Sequence, residues 1–167
     1  MSRKNVFIMI LLGLMLSIAI ISTGCFGSDD VDMEAATFKF ESLDSIDALM
    51  EDIEGKVTFV NIWGKDCPYC LDELPHINEL YQNYADDEEV EVITINFTDS
   101  ASDVKGLMED EGYVFDVYLD EEEEAVQYFE VLGLPSNYLV DADGEIVFEN
   151  PGAMSYDEAE QAIEDAR

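Results

Sequence analysis

Two cysteines stand three positions apart in the segment WGKDCPYCLDELP, residues 63–75. Cys67 and Cys70 are separated by Pro68 and Tyr69. An apolar, β-branched run precedes the pair and a helical pattern of apolar residues follows it, which indicates a strand-to-helix junction. Two thiols in such a place can exchange disulfides or bind a soft metal ion such as Cu(I). The spacing therefore predicts a dithiol site for redox or metal chemistry.

The position of the pair at a helix start favours a reactive thiolate. Residues i and i+3 of a first helical turn lie on one face, which suits a disulfide with Cα atoms roughly 4.4–6.8 Å apart. Unpaired N–H groups and a partial positive charge at a helix N-terminus can lower a cysteine pKa from about 8.5 to between roughly 3.5 and 7.5. We therefore expect Cys67 to be the attacking thiolate and Cys70 the resolving thiol.

The composition excludes several classes of partner. The chain of 167 residues has 40 acidic and 7 basic residues, a formal net charge of -33. Such a surface argues against nucleic-acid binding, which needs a basic footprint, and against docking on anionic lipid through charge. It favours a solvated, self-repelling surface. The length suits one domain and a short targeting segment.

The N-terminus has the three parts of an export signal. Arg3 and Lys4 give a positive start, 16 mostly apolar residues follow at 6–21, and the sequence Ser-Thr-Gly-Cys closes the segment at Cys25. The pattern predicts a signal peptide at 1–24. An uncleaved membrane helix is the alternative, although the apolar run is shorter than the usual length of about 20 residues.

The end of this segment resembles the lipobox of bacterial lipoproteins. That resemblance implies that Cys25 receives lipid and becomes the new N-terminus, followed by a polar tether over 25–36. Either form of the N-terminus places the remainder outside the cytoplasm and attached to a membrane. There, Cys67 and Cys70 remain as one pair, which can form a disulfide.

The neighbouring residues limit which metal ions the two cysteines could bind. Zinc needs four nitrogen or sulfur ligands, and His76 is the one histidine of the chain, expected at the surface. A two-cysteine Cu(I)-handling module stays open as an alternative, as does a binding protein whose disulfide is only a structural clamp. No cofactor is expected beyond the Cys67–Cys70 disulfide itself.

The elements that position the pair follow from the hydrophobic periodicity. Strands are predicted at 37–40, 56–63, 90–97, 115–119, 136–140 and 145–149, and helices at 42–53, 68–84, 100–112, 120–130 and 155–167. Asp44 or Ser45 is a plausible cap of the first helix. The predicted helix at 120–130 places four consecutive glutamates in its first turn. Strands that alternate with helices and then end in a hairpin predict an α/β fold with a mixed sheet over 37–167.

The residues around the dithiol resemble the active site of the thioredoxin superfamily. The closest resemblance is to its membrane-tethered, extracytoplasmic branch, the TlpA/ResA-like thiol-disulfide oxidoreductases. It is carried by Asn61, Trp63, Cys67-Pro68-Tyr69-Cys70, Glu73, Pro75, Gly133-Leu134-Pro135 and Asp143-Gly144. The resemblance covers about residues 37–167 and implies a thioredoxin fold, a central mixed β-sheet flanked by helices.

The resemblance implies roles for residues outside the dithiol. Pro135 matches the family's cis-proline beside the cysteines, and the backbone of Leu134 then pairs with an incoming extended peptide. Glu73 matches the acidic residue one turn after Cys70 and is expected to tune Cys70 or carry its proton, with an ordinary solvated helix position as the alternative. Asn61 stands where cytoplasmic thioredoxins carry a buried Asp. The expected site-shaping residues are Asn61, Trp63, Pro68, Tyr69 and Pro75.

The resemblance also implies a function. It favours a monomeric, lipid-anchored enzyme that reduces disulfides in exported cysteine-containing proteins, apocytochrome c among them. Its electrons would come from a membrane thiol carrier of the CcdA/DsbD kind. A disulfide-forming oxidant is the same chemistry in the opposite direction, and it stays open beside the Cu(I) alternative.

Overall fold

A six-stranded mixed β-sheet organises the computed structural model, which describes residues 38–167. The strand order is β1-β4-β3-β2-β5-β6. The strands are β1 Phe40–Ser42, β2 Val57–Trp63, β3 Val90–Phe97, β4 Val117–Asp120, β5 Ser136–Val140 and β6 Ile146–Pro151. The helices are α1 Ile46–Asp52, α2 Pro68–Tyr84, α3 Ala101–Glu111, α4 Glu124–Tyr128 and α5 Tyr156–Ala166. This order of elements confirms the predicted α/β fold.

The strand that leads to the dithiol lies in the middle of the sheet. All seven residues of β2 are buried, as its continuous apolar and β-branched sequence predicts. It pairs in parallel with β3 and antiparallel with β5, so Asn61 lies opposite Thr94 on one side and Asn137 on the other. The first four strands in sheet order run parallel, and the β5–β6 hairpin is antiparallel.

Alternating side chains of β2 divide the core into two layers. Phe59 and Trp63 face the layer that contains the buried side chains of α2, α3 and α5. Val60 and Ile62 face the layer that contains those of α1 and α4. The helix that carries the dithiol therefore packs on the same face of the sheet as the C-terminal helix.

The acidic run at 121–124 does not form the first turn of a helix, so that prediction is wrong. The helix spans five residues, Glu124–Tyr128, and Glu123 precedes it with a φ of 62°. Asp120 explains the later start, because its carboxylate accepts hydrogen bonds from the backbone N–H groups of Glu124 at 2.8 Å and Val126 at 3.1 Å. The carboxylate of Asp120, at the end of β4, thus accepts hydrogen bonds from backbone N–H groups at the start of this helix, which have no partner within it.

The first two elements begin later than their sequence patterns predict. Strand β1 covers 40–42 instead of 37–40, and α1 starts at Ile46 instead of residue 42. The helix start is set by Ser45, whose Oγ accepts a hydrogen bond from the N–H of Ala48 at 3.1 Å. Such a cap satisfies an N–H group that has no partner within the helix.

The predicted signal peptide at 1–24, the lipid-bearing Cys25 and the tether at 25–36 lie outside the described residues. Within residues 38–167, no helix has both the length and the apolar sequence needed to cross a membrane.

Candidate active site

Cys67 and Cys70 form a disulfide at the start of α2, with their Cα atoms 5.2 Å apart. Cys67 is the N-cap residue of the helix and Pro68 occupies its first turn, where a missing N–H has no cost. The backbone N–H of Cys70 donates a hydrogen bond to Sγ of Cys67 at 3.2 Å. A donor of the helix terminus is thus directed at the outer sulfur, an arrangement that stabilises a thiolate there.

The two sulfurs differ in their access to solvent. Cys67 is half-buried, whereas Cys70 is fully buried. Pro68 lies exposed between them, and the side chain of Tyr69 is 70% exposed. A macromolecule that approaches this helix start therefore meets Cys67 first, and Cys70 is reached only through the bond between the two cysteines.

Glu73 lies one turn after Cys70 and is buried, with 1% of its surface exposed. Its Oε1 accepts hydrogen bonds from the backbone N–H of Met154 at 2.7 Å and from Nδ2 of Asn137 at 2.8 Å. Its Oε2 accepts one from Nδ2 of Asn61 at 3.1 Å. This burial excludes the alternative in which Glu73 is an ordinary solvated helix residue.

Burial decides the direction in which the Glu73 carboxyl departs from normal. Removal from water raises its pKa, and the hydrogen bonds from Met154, Asn137 and Asn61 and the charge of His76 oppose that rise in part. A buried carboxyl whose pKa is raised in this way is suited to take up and release a proton, as an acid–base group requires.

Asn137 completes this polar cluster and was missed by the sequence-based predictions. The antiparallel register of β2 and β5 places it opposite Asn61, and Nδ2 of Asn61 donates to Oδ1 of Asn137 at 2.8 Å. Asn137 also donates to the carbonyl of Gly152 at 3.0 Å. Its one sequence signal is an amide in a strand whose other side chains are mostly apolar, two positions after Pro135.

Trp63 ends β2 just before the site and is fully buried. Its indole N–H donates to Oγ1 of Thr94 at 3.3 Å, and its ring meets that of Phe115 edge to face at 6.4 Å between centroids. Thr94 in turn donates to the carbonyl of Asp116 at 2.9 Å. The indole therefore joins β2 to β3 at the level where the loop toward Cys67 begins.

Asp99 holds the loop that precedes Cys67, and the sequence-based predictions also missed it. Its Oδ2 accepts hydrogen bonds from the backbone N–H of Lys65 at 2.6 Å and from Nδ2 of Asn96 at 2.9 Å. The carboxylate thus ties residue 65, two positions before Cys67, to the end of β3. Its only sequence signal is an acidic residue shortly after a buried strand.

The peptide bond between Leu134 and Pro135 is cis. The Cδ1 atom of Leu134 lies 3.3 Å from the place where a Cβ on Gly64 would stand. The loop before β5 therefore packs against the loop before Cys67, although the two are 70 positions apart in the sequence. Leu132, in the same loop, is 96% exposed.

The remaining predicted residues lie near α2. Pro75 is inside the helix and exposed. His76, predicted at the surface, is partly exposed, and its Nδ1 lies 3.3 Å from the carbonyl oxygen of Met154. Among residues 38–167, no three His, Cys, Asp or Glu side chains are grouped so that they could hold a metal ion.

Comparisons with known proteins place the chain among redox proteins of one architecture. Residues 31–149 match the model of the AhpC/TSA family. The protein named thiol-disulfide oxidoreductase ResA from Halalkalibacterium halodurans is 30% identical over 131 residues, which are 78% of this chain and 74% of that protein. ResA from Bacillus thuringiensis is 29% identical over 134 residues, 80% of this chain and 77% of that protein.

A solved structure supports the same placement. The crystal structure of StoA from Bacillus subtilis superposes with a TM-score of 0.59 and 25% identity, over 66% of this chain and 82% of that one.

Proposed function

This chain belongs to the AhpC/TSA family of the thioredoxin superfamily, and from that membership we propose that it reduces disulfides of exported proteins outside the cytoplasm. The sequence-based assignment to the thiol-disulfide oxidoreductases is confirmed by the relatives that carry this name. The direction of electron flow, the clients and the membrane attachment are parts of the proposal.

One observation carries the proposal. The Cys67–Cys70 disulfide stands at the start of α2, with Cys67 partly exposed and Cys70 fully buried. This asymmetry supports a fixed order of reaction, in which a client reaches Cys67 and only Cys70 can resolve the product. A disulfide that served only as a clamp would not need an accessible sulfur at a helix N-terminus.

The proposed reaction starts from the dithiol form. The Cys67 thiolate attacks one sulfur of a client disulfide, which forms a mixed disulfide and releases the first client thiolate. Cys70 then gives its proton to the Glu73 carboxylate, and its sulfur attacks Sγ of Cys67. This closes the Cys67–Cys70 disulfide, and the second client thiolate leaves and takes up the proton from Glu73.

Two electrons pass from the two cysteines to the client in this cycle. A membrane thiol carrier of the CcdA/DsbD kind would return them by the same exchange in reverse, with Cys67 again in the mixed disulfide. The two cysteines and Glu73 account for every bond that forms and breaks, so the proposal includes no further cofactor.

Exposed apolar side chains in the dithiol segment and in the loop before Pro135 support docking of an unfolded client segment. Tyr69 is 70% exposed and Leu132 is 96% exposed, in a chain whose net charge of -33 otherwise favours a polar surface. An extended segment would add to the backbone at Leu134, next to Pro135, and place its cysteine at Cys67. Exported proteins with two nearby cysteines, such as apocytochrome c, fit this mode.

The proposed location follows from the N-terminal pattern. A lipid on Cys25, after removal of 1–24, would attach the domain to the outer side of the cell membrane through the tether at 25–36. One solved protein with this architecture, from Streptococcus pneumoniae, is described as an exposed lipoprotein thioredoxin; it is 23% identical with a TM-score of 0.63, over 70% of this chain and 89% of that one. At that identity it supports the fold only.

Trapping of the mixed disulfide tests the function. In Cys70→Ser the resolving thiol is absent, so exported clients should remain covalently bound to Cys67 in the native cell envelope and be released by reductant. Cys67→Ser, which keeps the buried Cys70, is the matched control and should trap none. Absence of trapped clients, with wild-type protein inert toward disulfide substrates, would overturn the proposal, and tight Cu(I) binding would then favour the metal-handling alternative.

The redox state of the wild-type protein in the same envelope tests the direction. A reductant is kept mainly as the Cys67–Cys70 dithiol, whereas an oxidant is kept mainly as the disulfide. Alkylation of free thiols in intact cells, followed by mass analysis, distinguishes the two.

A further inference from the structure

The hydrogen bonds around Glu73 come from neutral groups. Two side-chain amides and one backbone N–H reach its carboxylate, from Asn61, Asn137 and Met154. Oδ1 of Asn61 is buried and has no hydrogen-bond partner. The cluster thus has three donors directed at the carboxylate and one unused acceptor on a side chain that touches it.

We propose that Asn137 is a positioning residue that, together with Asn61, supplies hydrogen bonds to Glu73 both when it is charged and when it holds a proton. The proposal rests on the function proposed above, because it concerns the proton that leaves Cys70 when the mixed disulfide is resolved. Asn137 itself touches neither the sulfurs nor a client in this scheme, and it acts through Glu73.

The hydrogen bonds in the structure stabilise the charged state of Glu73. Asn137 donates to Oε1 at 2.8 Å while its own Oδ1 accepts from Asn61, which donates to Oε2 at 3.1 Å. Donors that bind the charged form favour it and offset the penalty of burial. The carbonyl of Gly152 fixes the Asn137 amide by accepting its other hydrogen at 3.0 Å.

The unused acceptor, Oδ1 of Asn61, stabilises the neutral state of Glu73. A proton on Glu73 turns one carboxyl oxygen into a donor, and an N–H group that faces it then has no acceptor. A half-turn of the Asn61 amide exchanges its Nδ2 and Oδ1, which offers an acceptor to the new O–H and gives up the hydrogen bond to Oδ1 of Asn137. No buried polar group of Glu73 is then left without a partner, which would otherwise be costly.

The charge that acts on Glu73 comes from its own helix. It is the charge of His76, because Cys67 and Cys70 are joined in the disulfide form and do not titrate. From the facing elements, within residues 38–167, β2 and β5 contribute the amides of Asn61 and Asn137, and the segment before α5 contributes a backbone N–H. Burial is the main cause of the raised pKa of Glu73, and the hydrogen bonds from these groups oppose it more than the charge of His76 does.

Direct titration of Glu73 in the purified disulfide form tests the proposal. Carbon-13 NMR of glutamate-labelled protein gives the carboxyl signals, and Glu73→Gln identifies the one that belongs to Glu73. In Asn137→Leu, which is close in volume and lacks the amide, the titration midpoint should rise by about one pH unit or more. The side-chain amide signals of Asn61 in wild-type protein should move with the Glu73 midpoint.

Asn150→Leu is the matched control. Asn150 lies opposite Asn137 in β6 and donates to the same Gly152 carbonyl at 2.8 Å, but it makes no hydrogen bond to Glu73. The midpoint should stay at its wild-type value in this variant. Asn137→Val, whose β-branched side chain suits a strand, repeats the test if the Leu variant does not fold.

Two results would overturn the inference. One is an unchanged Glu73 midpoint in a folded Asn137 variant, and the other is an Asn61 amide signal that does not follow that midpoint. Both are read without any client, so they are independent of the proposed function. A protein that is inert toward disulfides but shows the shifted midpoint would overturn the function and leave the hydrogen-bonding role of Asn137 in place.

Discussion

The backbone N–H of Met154 donates a 2.7 Å hydrogen bond to Oε1 of Glu73, across 81 positions of sequence. This bond joins the helix that carries the dithiol to the segment between β6 and α5. The same segment contacts His76, one turn further along the helix face, through the carbonyl of Met154. The carboxyl of Glu73, one turn after Cys70, is therefore held by the C-terminal part of the domain as well as by the sheet.

Glu73 should make the stability of the domain depend on pH. Burial raises the pKa of its carboxyl above the ordinary value of 4.5. At a pH between 4.5 and the raised pKa, the folded chain therefore binds more protons than the unfolded chain. The free energy of unfolding then falls as pH rises through this window and stays lower above it. Glu73→Gln does not titrate, so its stability relative to wild type should increase as pH rises from 4.5.

Urea unfolding of both disulfide forms from about pH 4 to about pH 8 measures this difference. Asp72→Asn removes the same charge from an exposed neighbouring position of α2 and is the control for the loss of charge alone. If the difference for Glu73→Gln does not change with pH, the carboxyl has no raised pKa in the folded protein.

Glu73→Gln should also slow the closing of the disulfide. Without the carboxylate, the proposed acceptor of the Cys70 proton is absent, and loss of such a group costs about 100-fold or more in rate. Single-turnover reduction of a disulfide peptide, quenched with acid and followed by mass, should show accumulation of the mixed disulfide on Cys67. Asp72→Asn should resolve it at the wild-type rate, and an equal rate in Glu73→Gln would remove Glu73 from the reaction.

Asp99→Ala should loosen the loop before Cys67. The change removes the acceptor of the Lys65 and Asn96 donors, and loss of hydrogen bonds to a charged group costs about 1.5–3 kcal/mol. We expect a lower urea midpoint and a changed rate of alkylation of Cys67 in the reduced protein. Asp99→Asn keeps an acceptor oxygen and should recover most of both properties; if it does not, the charge of Asp99 matters more than its hydrogen bonds.

Cys25→Ser tests the membrane attachment. The wild-type protein should be found in the membrane fraction, with a mature N-terminus that begins at Cys25 and carries the mass of a lipid. The variant cannot accept lipid, so it should keep its signal segment. A wild-type protein whose mature form retains Met1 would favour an uncleaved membrane helix instead.

Local sequence signals were sufficient for much of the fold. The bounds of α2 and β3 agree with the predicted ranges 68–84 and 90–97, because Pro68 suits a first helical turn and the strand is a continuous apolar run. The helix at 120–130 was mispredicted because its start depends on the carboxylate of Asp120, which belongs to the preceding strand. A glutamate run alone does not indicate which residue caps the helix.

Much of the support of the candidate site could not be predicted from local patterns. Asn137 meets Glu73 only because β5 pairs antiparallel with β2 in a register that places it opposite Asn61. Met154 contributes a backbone N–H, which any residue except proline has, so its identity carries no signal. Asp99 becomes important only when the end of β3 lies beside the loop that leads to Cys67.

The parallel arrangement of the early strands has a consequence for how the enzyme could meet its clients. Strand β1 lies at one edge of the sheet and runs in the same direction as β2, so the start of β1 and Cys67 stand at opposite ends of the strands. The described chain therefore begins at one end of the sheet, and a client that reaches Cys67 meets the other end.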